Sequence, residues 1–478
     1  MKFTVYNTHM ELHPYNKGDY PEIEEIYTAV DPFTMEFIPC GYIIENKTLF
    51  LPRGTPIHYV EKATKTRASI SRKSDPQEDM HVKHYPTVEP RDELQEETIN
   101  FLLQPDHQLS VNLVTGFGKS FVVAYSIMML NKRAIIITPD DGLKHQWIKT
   151  FEEMMDVSSD DILDISSSDT MKAILNGELN VDNVDVFFVN HQTLRSFFVR
   201  YGPMAFKTFF RKIKVGIKVY DEAHKEFHNI LLIDAYTNTD RTWYVTATFD
   251  RSDKTESKCF RTAFNSVIQF GGEESRKISP PHTIYHVVNV NSQISVQNRK
   301  KVMGWNGMTG ASYGRYAFEN NPKDTVTKTI IELIEKLEGM EGKILVLVPL
   351  INAVDSVAAK LQERFPDKIV SVYHSKVPKE EKVDAFDADI IVSTLKSCGT
   401  GKDIKGLRTV INTEALASKV NAEQMIGRLR PYKDKNGKQL DTLFFDIVDV
   451  CIPPVVWWWK ARFKRIKDIV KKVVHLDR

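Results

Sequence analysis

Two short segments, Thr115-Gly-Phe-Gly-Lys-Ser120 and Asp221-Glu-Ala-His224, hold the residue types that phosphate chemistry needs. A glycine turn between a strand and a helix exposes backbone N–H groups to an anion, and Gly116 and Gly118 permit the close approach. Lys119 is then expected to reach the β- and γ-phosphates of ATP and Ser120 to ligate Mg²⁺, with Thr115 in the same turn. The complete pattern has glycine at the position of Leu113. In the second segment Asp221 is placed to hold Mg²⁺ through water, and Glu222 to polarise a water attacking the γ-phosphate. Alone, the first segment is also an ordinary turn before a helix and the second an acidic surface turn. Together, in this order, they describe ATP hydrolysis with ATP and Mg²⁺ as cofactors.

The elements that must position these residues follow from hydrophobic pattern. Ser110–Val114, Ala134–Thr138, Val184–Val189, Ile217–Tyr220 and Trp243–Thr246 are short β-branched runs, and segments of helical spacing lie between them. Such alternation predicts a mostly parallel sheet covered on both faces, with ligands at the carboxyl ends of the strands. A second set, Lys343–Val348, Ile369–Tyr373, Asp389–Val392, Thr409–Ile411 and Thr442–Ile447, predicts a second domain of the same kind without a phosphate loop. Residues 1–85 read as a small β-rich accessory domain, 86–275 as the first α/β domain, 276–322 as a connecting region and 323–478 as the second α/β domain with a basic C-terminal helix.

Composition is that of a water-soluble globular chain: 478 residues, 42% apolar, 27% charged, net charge +1. No run suffices for a membrane span, and the first residues lack the apolar core of a signal peptide. Cys40, Cys259, Cys398 and Cys451 lie far apart, which argues against a zinc site and for a reduced compartment. Two segments are basic. Lys62–Lys73 carries five basic residues and no acid, and Lys460–Arg478 carries eight against two acids. Either is a solvated surface or a phosphate-contacting face. Trp457-Trp-Trp459 invites a base-stacking role, but three adjacent residues cannot share one helical face, so core or interdomain packing is the expectation.

The motifs resemble those of the superfamily 2 helicases and translocases over about residues 88–450. The resemblance implies two tandem RecA-like domains, parallel sheets with helices on both faces, preceded by the small β-rich N-terminal domain. It gives Gln95 the reading of adenine, and Thr138–Trp147, with Pro139, a contact to the nucleic-acid backbone. Gln192, within Asn190–Leu194, falls where a further strand-contacting motif belongs. Thr246 and Thr248 stand in the motif that couples nucleotide to nucleic acid, followed by Phe249 where many members have proline. In the second domain His374 and Thr394 resemble strand contacts, and Gly401 and Asp403 nucleotide contacts. Gln424 and Arg428 resemble the pair that faces the γ-phosphate across a closing cleft. The usual second arginine falls at Pro431, and Arg430 is one residue out of register, roughly 100° round a helix.

Thr246–Asp253, with Arg251, resembles the XPB-like branch, although Ser252 replaces its middle acid. Ser312–Tyr316, Asn320–Pro322 and Phe445–Asp449 are similar to phage recombination helicases of the UvsW kind. That likeness implies a DNA-stimulated ATPase, acting as a monomer in the (host) cytoplasm. It would remodel branched or forked DNA in recombination, repair or replication, beside single-strand-binding or recombination proteins. Residues 1–85 would grip duplex DNA, and their removal is expected to leave basal ATPase intact. A DEAH-type RNA helicase, a restriction-type translocase subunit and a duplex clamp ATPase without strand separation are the alternatives.

Overall fold

A computed structural model of the chain describes all residues except 31–36, 40, 72, 114–116, 247–253, 272–280, 304–306, 379–383, 399–403, 418–421, 423–424 and 477–478. The chain forms two units, residues 1–278 and 279–478.

In the first unit a seven-stranded sheet has the order Ile162–Ile165, Val186–Asn190, Ala134–Thr138, Ile217–Asp221, Arg241–Thr246, Gln108–Asn112, Ile268–Gly271. Every neighbouring pair is parallel. The central strands are buried throughout, as in Ala134–Thr138 and Ile217–Asp221, which is why they read as continuous apolar runs. Several helices packed with these strands start with a side-chain cap. Asp92 accepts from Gln95 N at 3.0 Å, Asp140 from Leu143 N at 3.0 Å and Asn190 from Thr193 N at 2.7 Å. Each such cap stabilises its helix by about 0.5–2 kcal/mol and fixes where the helix begins.

The N-terminal sheet, in the order Ile43–Glu45, Thr48–Pro52, His9–His13, Lys2–Val5, Ala68–Ile70, is antiparallel except for its last pair. Its buried residues Val5, Met10, Leu12 and Leu51 belong to one core with Ile135, Ile137, Tyr220, Tyr244 and Phe260 of the large sheet and its helices. Polar bonds cross the same boundary. Asn7 N donates to Asn238 Oδ1 at 2.9 Å and Thr8 Oγ1 to Asp234 O at 3.0 Å. The Tyr236 hydroxyl donates to Glu45. Beneath them Asp234 accepts from Lys218 Nζ at 2.6 Å, Tyr220 at 2.7 Å and Tyr244 at 2.8 Å, all buried. The N-terminal sheet is thus a layer of the first unit's core.

The second unit holds another seven-stranded parallel sheet, in the order Val370–Tyr373, Ile390–Ser393, Lys343–Leu347, Leu407–Asn412, Thr442–Asp449, Thr283–Val290, Lys472–Leu476. Two of these strands, like Ile162–Ile165 and Ile268–Gly271 of the first sheet, were not among the strands expected from the sequence. Thr283–Val290 lies inside the stretch expected to connect the domains, where flanking Pro, Asn and Ser obscured it. Lys472–Leu476 lies in the stretch expected to be basic helix; the helix Pro453–Ile466 stops earlier and the chain returns as an edge strand. The acids of Phe445–Asp449 are structural. Asp446 accepts from Arg462 Nε at 3.0 Å and from a terminal Arg462 nitrogen at 2.7 Å, from Asn412 at 2.8 Å and from Tyr285. Asp449 accepts from the backbone N–H groups of Ser292 and Cys451. The Asp446 charge is buried against that full set of donors, whereas burial raises the pKa of Asp449, whose second oxygen has no hydrogen-bond partner among the described residues.

Candidate nucleotide site

The site grows from strand ends of the first sheet. Gly118 adopts φ +95°, open to glycine at little cost, and begins the helix Lys119–Leu130. A Cβ there would stand 2.9 Å from Gln95 Nε2. Gln95 is buried, donates to Phe117 O at 2.9 Å and accepts from Arg91 N at 2.8 Å. Arg91 donates to the same Phe117 carbonyl at 2.9 Å. The glutamine expected at adenine is therefore tied directly to the phosphate turn. Lys119 Nζ donates to Leu113 O at 3.3 Å, so the lysine points back along the turn toward the strand end. Leu113 itself is fully buried, an apolar core residue where the common pattern has glycine.

Asp221 closes the strand Ile217–Asp221. One oxygen accepts from Trp147 Nε1 at 2.8 Å and the other from Glu222 N at 2.9 Å. Trp147 is an orienting group that sequence reasoning missed, since nothing in its own segment announces an acidic partner 74 residues away. Glu222 takes a left-handed φ of +50°, a strained choice for a non-glycine. His224 Nδ1 lies 2.8 Å from Thr246 Oγ1 and 3.3 Å from Glu222 Oε2. That imidazole links the expected base to the coupling segment. Thr246 is completely buried, which places its hydroxyl on His224 rather than at a surface.

Burial and the adjacent Glu222 charge push the Asp221 carboxyl up to about 6, against the pull of Trp147 and Lys119. Burial also pushes Glu222 up, but Lys119, His224 and Lys225 outweigh it and hold Glu222 below its usual range. Among the described residues no group of three or more His, Cys, Asp or Glu side chains could hold a metal alone. Asp221 and Ser120 are the residues that would hold Mg²⁺, an ion commonly bound by one or two carboxylates together with nucleotide phosphates.

On the same strand-end face Pro139, Gln192, Arg195, Ser196, Glu226 and Asn229 line one open groove. It brings together the two segments expected to contact nucleic acid, after Ala134–Thr138 and after Val186–Asn190. Arg195, exposed and three residues beyond Gln192 on one helix, was not singled out from the sequence. Its spacing from Gln192 was the available signal.

His191, beside Gln192, is buried and stacked on Tyr220, with ring centroids 5.8 Å apart. Burial lowers its pKa to about 3. The unfolded imidazole titrates near 6.5, so this contribution is intact above that pH and is lost as pH falls from about 6.5 toward 3. At pH 5 the loss is about 2 kcal/mol. His191→Phe keeps the stack and removes the titration. Thermal melts from pH 7 to pH 5 should therefore fall more steeply for the wild type, and parallel acid slopes would rule His191 out. Asp221, being raised, acts in the opposite sense, but equally in both proteins.

Comparison with known proteins bears on the same geometry. Residues 87–251 match the family described as type III restriction enzyme, res subunit, and residues 325–430 match the helicase conserved C-terminal domain. The chain belongs to the superfamily 2 helicases. S. cerevisiae Dbp5, solved with RNA and ADP BeF3, has the same helicase fold at 14% identity, covering 80% of this chain and 89% of that one with a TM-score of 0.54. A fragment of a putative HsdR subunit of a type I restriction enzyme from Vibrio vulnificus gives 13% identity, 80% and 68% coverage and a TM-score of 0.53. T4 UvsW aligns over 100% of both chains at 14% identity, but its TM-score of 0.36 is too low to equate the two. Among curated relatives, transcript termination protein A18 of Yaba monkey tumor virus is 22% identical over 68% of this chain, and that of ectromelia virus 24% identical over 67%. The matches span 65% and 62% of those relatives' own lengths, under two thirds.

Within the helicase C-terminal unit the expected residues are dispersed among described and undescribed segments. His374 is buried, its Nε2 3.0 Å from Asp355 Oδ1 and its Nδ1 accepting from Lys376 N at 3.3 Å. Thr394 caps the short helix Leu395–Cys398, accepting from Ser397 N at 3.0 Å. Arg428 is buried in a turn just after Ile426, and Arg430 follows that turn, so helical rotation does not relate the two arginines. Thr115, Gly116, Thr248, Arg251, Gly401, Asp403 and Gln424 lie outside the described residues. No described helix is long and apolar enough to cross a membrane.

Proposed function

We propose that the chain is an ATP-driven DNA helicase or translocase that remodels branched DNA by fork regression, junction migration or unwinding. The observation that carries the ATPase is the joined set Gln95, Lys119, Asp221, Glu222 and His224, with Thr246 tied to the expected base through His224 at 2.8 Å. Asp221 and Ser120 would hold Mg²⁺ and Glu222 would orient the attacking water. Removal of the γ-phosphate would be felt at Thr246 through His224. The groove between Pro139 and Arg195 would seat one nucleic-acid backbone. The choice of branched DNA rests on the segments Ser312–Tyr316, Asn320–Pro322 and Phe445–Asp449.

A second reading has its own support. The A18 relatives are named for transcript termination, and the match covers 68% of this chain. In that reading the same motor releases RNA from a transcription complex.

One experiment separates them. ATPase stimulation and strand displacement are measured on single-stranded DNA, duplex, forks, four-way junctions, RNA and an RNA–DNA hybrid bubble. Preference for forks and junctions supports the first reading, preference for the bubble or RNA the second, and stimulation without displacement a clamp. In the same assay Arg428→Ala should lower stimulated turnover at least about tenfold, the loss expected of a cation acting on transferring phosphate. Normal stimulated turnover would remove Arg428 from that role.

A further inference from the structure

The three adjacent tryptophans divide between core and solvent. Trp458 and Trp459 pack against the second unit's core, while Trp457 is 66% exposed. The helix Pro453–Ile466 contains no acidic residue. Its inner face is fixed by Val455, Arg462 and Ile466, all buried. At about 100° per residue, Trp457, Lys460, Lys464 and Lys467 fall within roughly 80° of one another on the opposite face. All four are exposed, and Lys467 is the helix's C-cap. Among the described residues none of the three lysines has a carboxylate partner. Lys471, just beyond, is held by Asp441 at 2.7 Å, and Asp468 is the one acid beside the stripe.

We propose that this face is a contact for an unpaired nucleic-acid strand, with a base stacked on Trp457 and the backbone running along Lys460, Lys464 and Lys467. The proposal rests on the helicase reading and adds a contact outside its motifs. Lysines near a helix C-terminus also complement the helix dipole, which accounts for Lys464 and Lys467. It accounts neither for Lys460, two turns from the end, nor for a tryptophan left in water. A membrane surface does not fit, because the face offers a single apolar side chain and the helix's apolar side is already in the core. An aromatic platform beside unpaired cations does fit a single strand, whose bases present π-faces and whose phosphates are evenly charged.

The test uses the full chain, oligo(dT), an abasic strand of equal length and blunt duplex. Trp457→Ala should weaken oligo(dT) binding about tenfold and leave abasic-strand binding unchanged. Lys460→Glu/Lys464→Glu/Lys467→Glu should reduce the slope of log affinity against log salt by about 2, at about 0.7 per phosphate contact on single strands. Both variants should melt like the wild type, since the altered side chains are exposed. Unchanged oligo(dT) affinity in the first variant, or an unchanged salt slope in the second, overturns the proposal while wild-type stimulation by nucleic acid upholds the helicase reading. A wild type that neither binds nor responds to any nucleic acid overturns both.

Discussion

Glu222→Gln should bind ATP nearly as tightly as the wild type and hydrolyse it at least about a hundredfold more slowly. The substitution preserves shape and removes only basicity, and a positioned general base contributes about 10²–10⁴ in rate. The structure favours this residue over Asp221 for the role. Both Asp221 oxygens already accept hydrogen bonds, from Trp147 Nε1 and from Glu222 N. The Glu222 carboxylate lies 3.3 Å from His224 Nδ1. Lys119, His224 and Lys225 overcome the effect of burial and keep Glu222 ionised at neutral pH, as a base must be. Fluorescent-nucleotide binding and steady-state phosphate release measure the two quantities separately. Undiminished turnover would exclude Glu222, and lost binding would mean that it supports the nucleotide rather than the water.

Removal of residues 1–85 should abolish the folded first unit and the basal ATPase with it. The sequence alone favoured a detachable grip, whose deletion would spare hydrolysis. Val5, Met10, Leu12 and Leu51, each at most 2% exposed, instead complete a core shared with Tyr220 and Tyr244 of the ATPase sheet. Burial of each such side chain contributes about 1.5–3 kcal/mol, so exposing the facing apolar surface rivals a domain's whole stability of about 5–15 kcal/mol. Truncation would also strip Asn238 and Asp234 O of their bonds to Asn7 and Thr8. Circular dichroism and ATPase of the truncated chain decide the matter. A cooperative melt with retained turnover would mean that the two layers fold independently.

Much of the fold was legible because parallel strands buried on both faces are continuous apolar runs. Ala134–Thr138 matched the expected strand at both ends, and Ile217–Asp221 differed from expectation by one residue. Thr283–Val290 was hidden by its flanks, and Lys472–Leu476 by Lys471 and Lys472 at its start, because an edge strand tolerates charge that a central one does not. The motif residues were legible because phosphate chemistry demands particular side chains at fixed intervals along one turn. Trp147, His191 and Arg195 were not, since their importance comes from neighbours brought in by folding. Trp457 shows the same limit in small compass. Periodicity established that three tryptophans could not share a face, but only packing determined which one was left outside.

The sequence by itself therefore determined the two α/β sheets, the superfamily 2 ATPase motifs and the identities of the residues expected at ATP. Those are local properties of strand pattern and turn chemistry. The tertiary structure alone decided that Trp147 orients Asp221, that His224 joins Glu222 to Thr246, and that the N-terminal sheet is part of the first unit's core. Those depend on distances between residues remote in the chain, which no local pattern encodes.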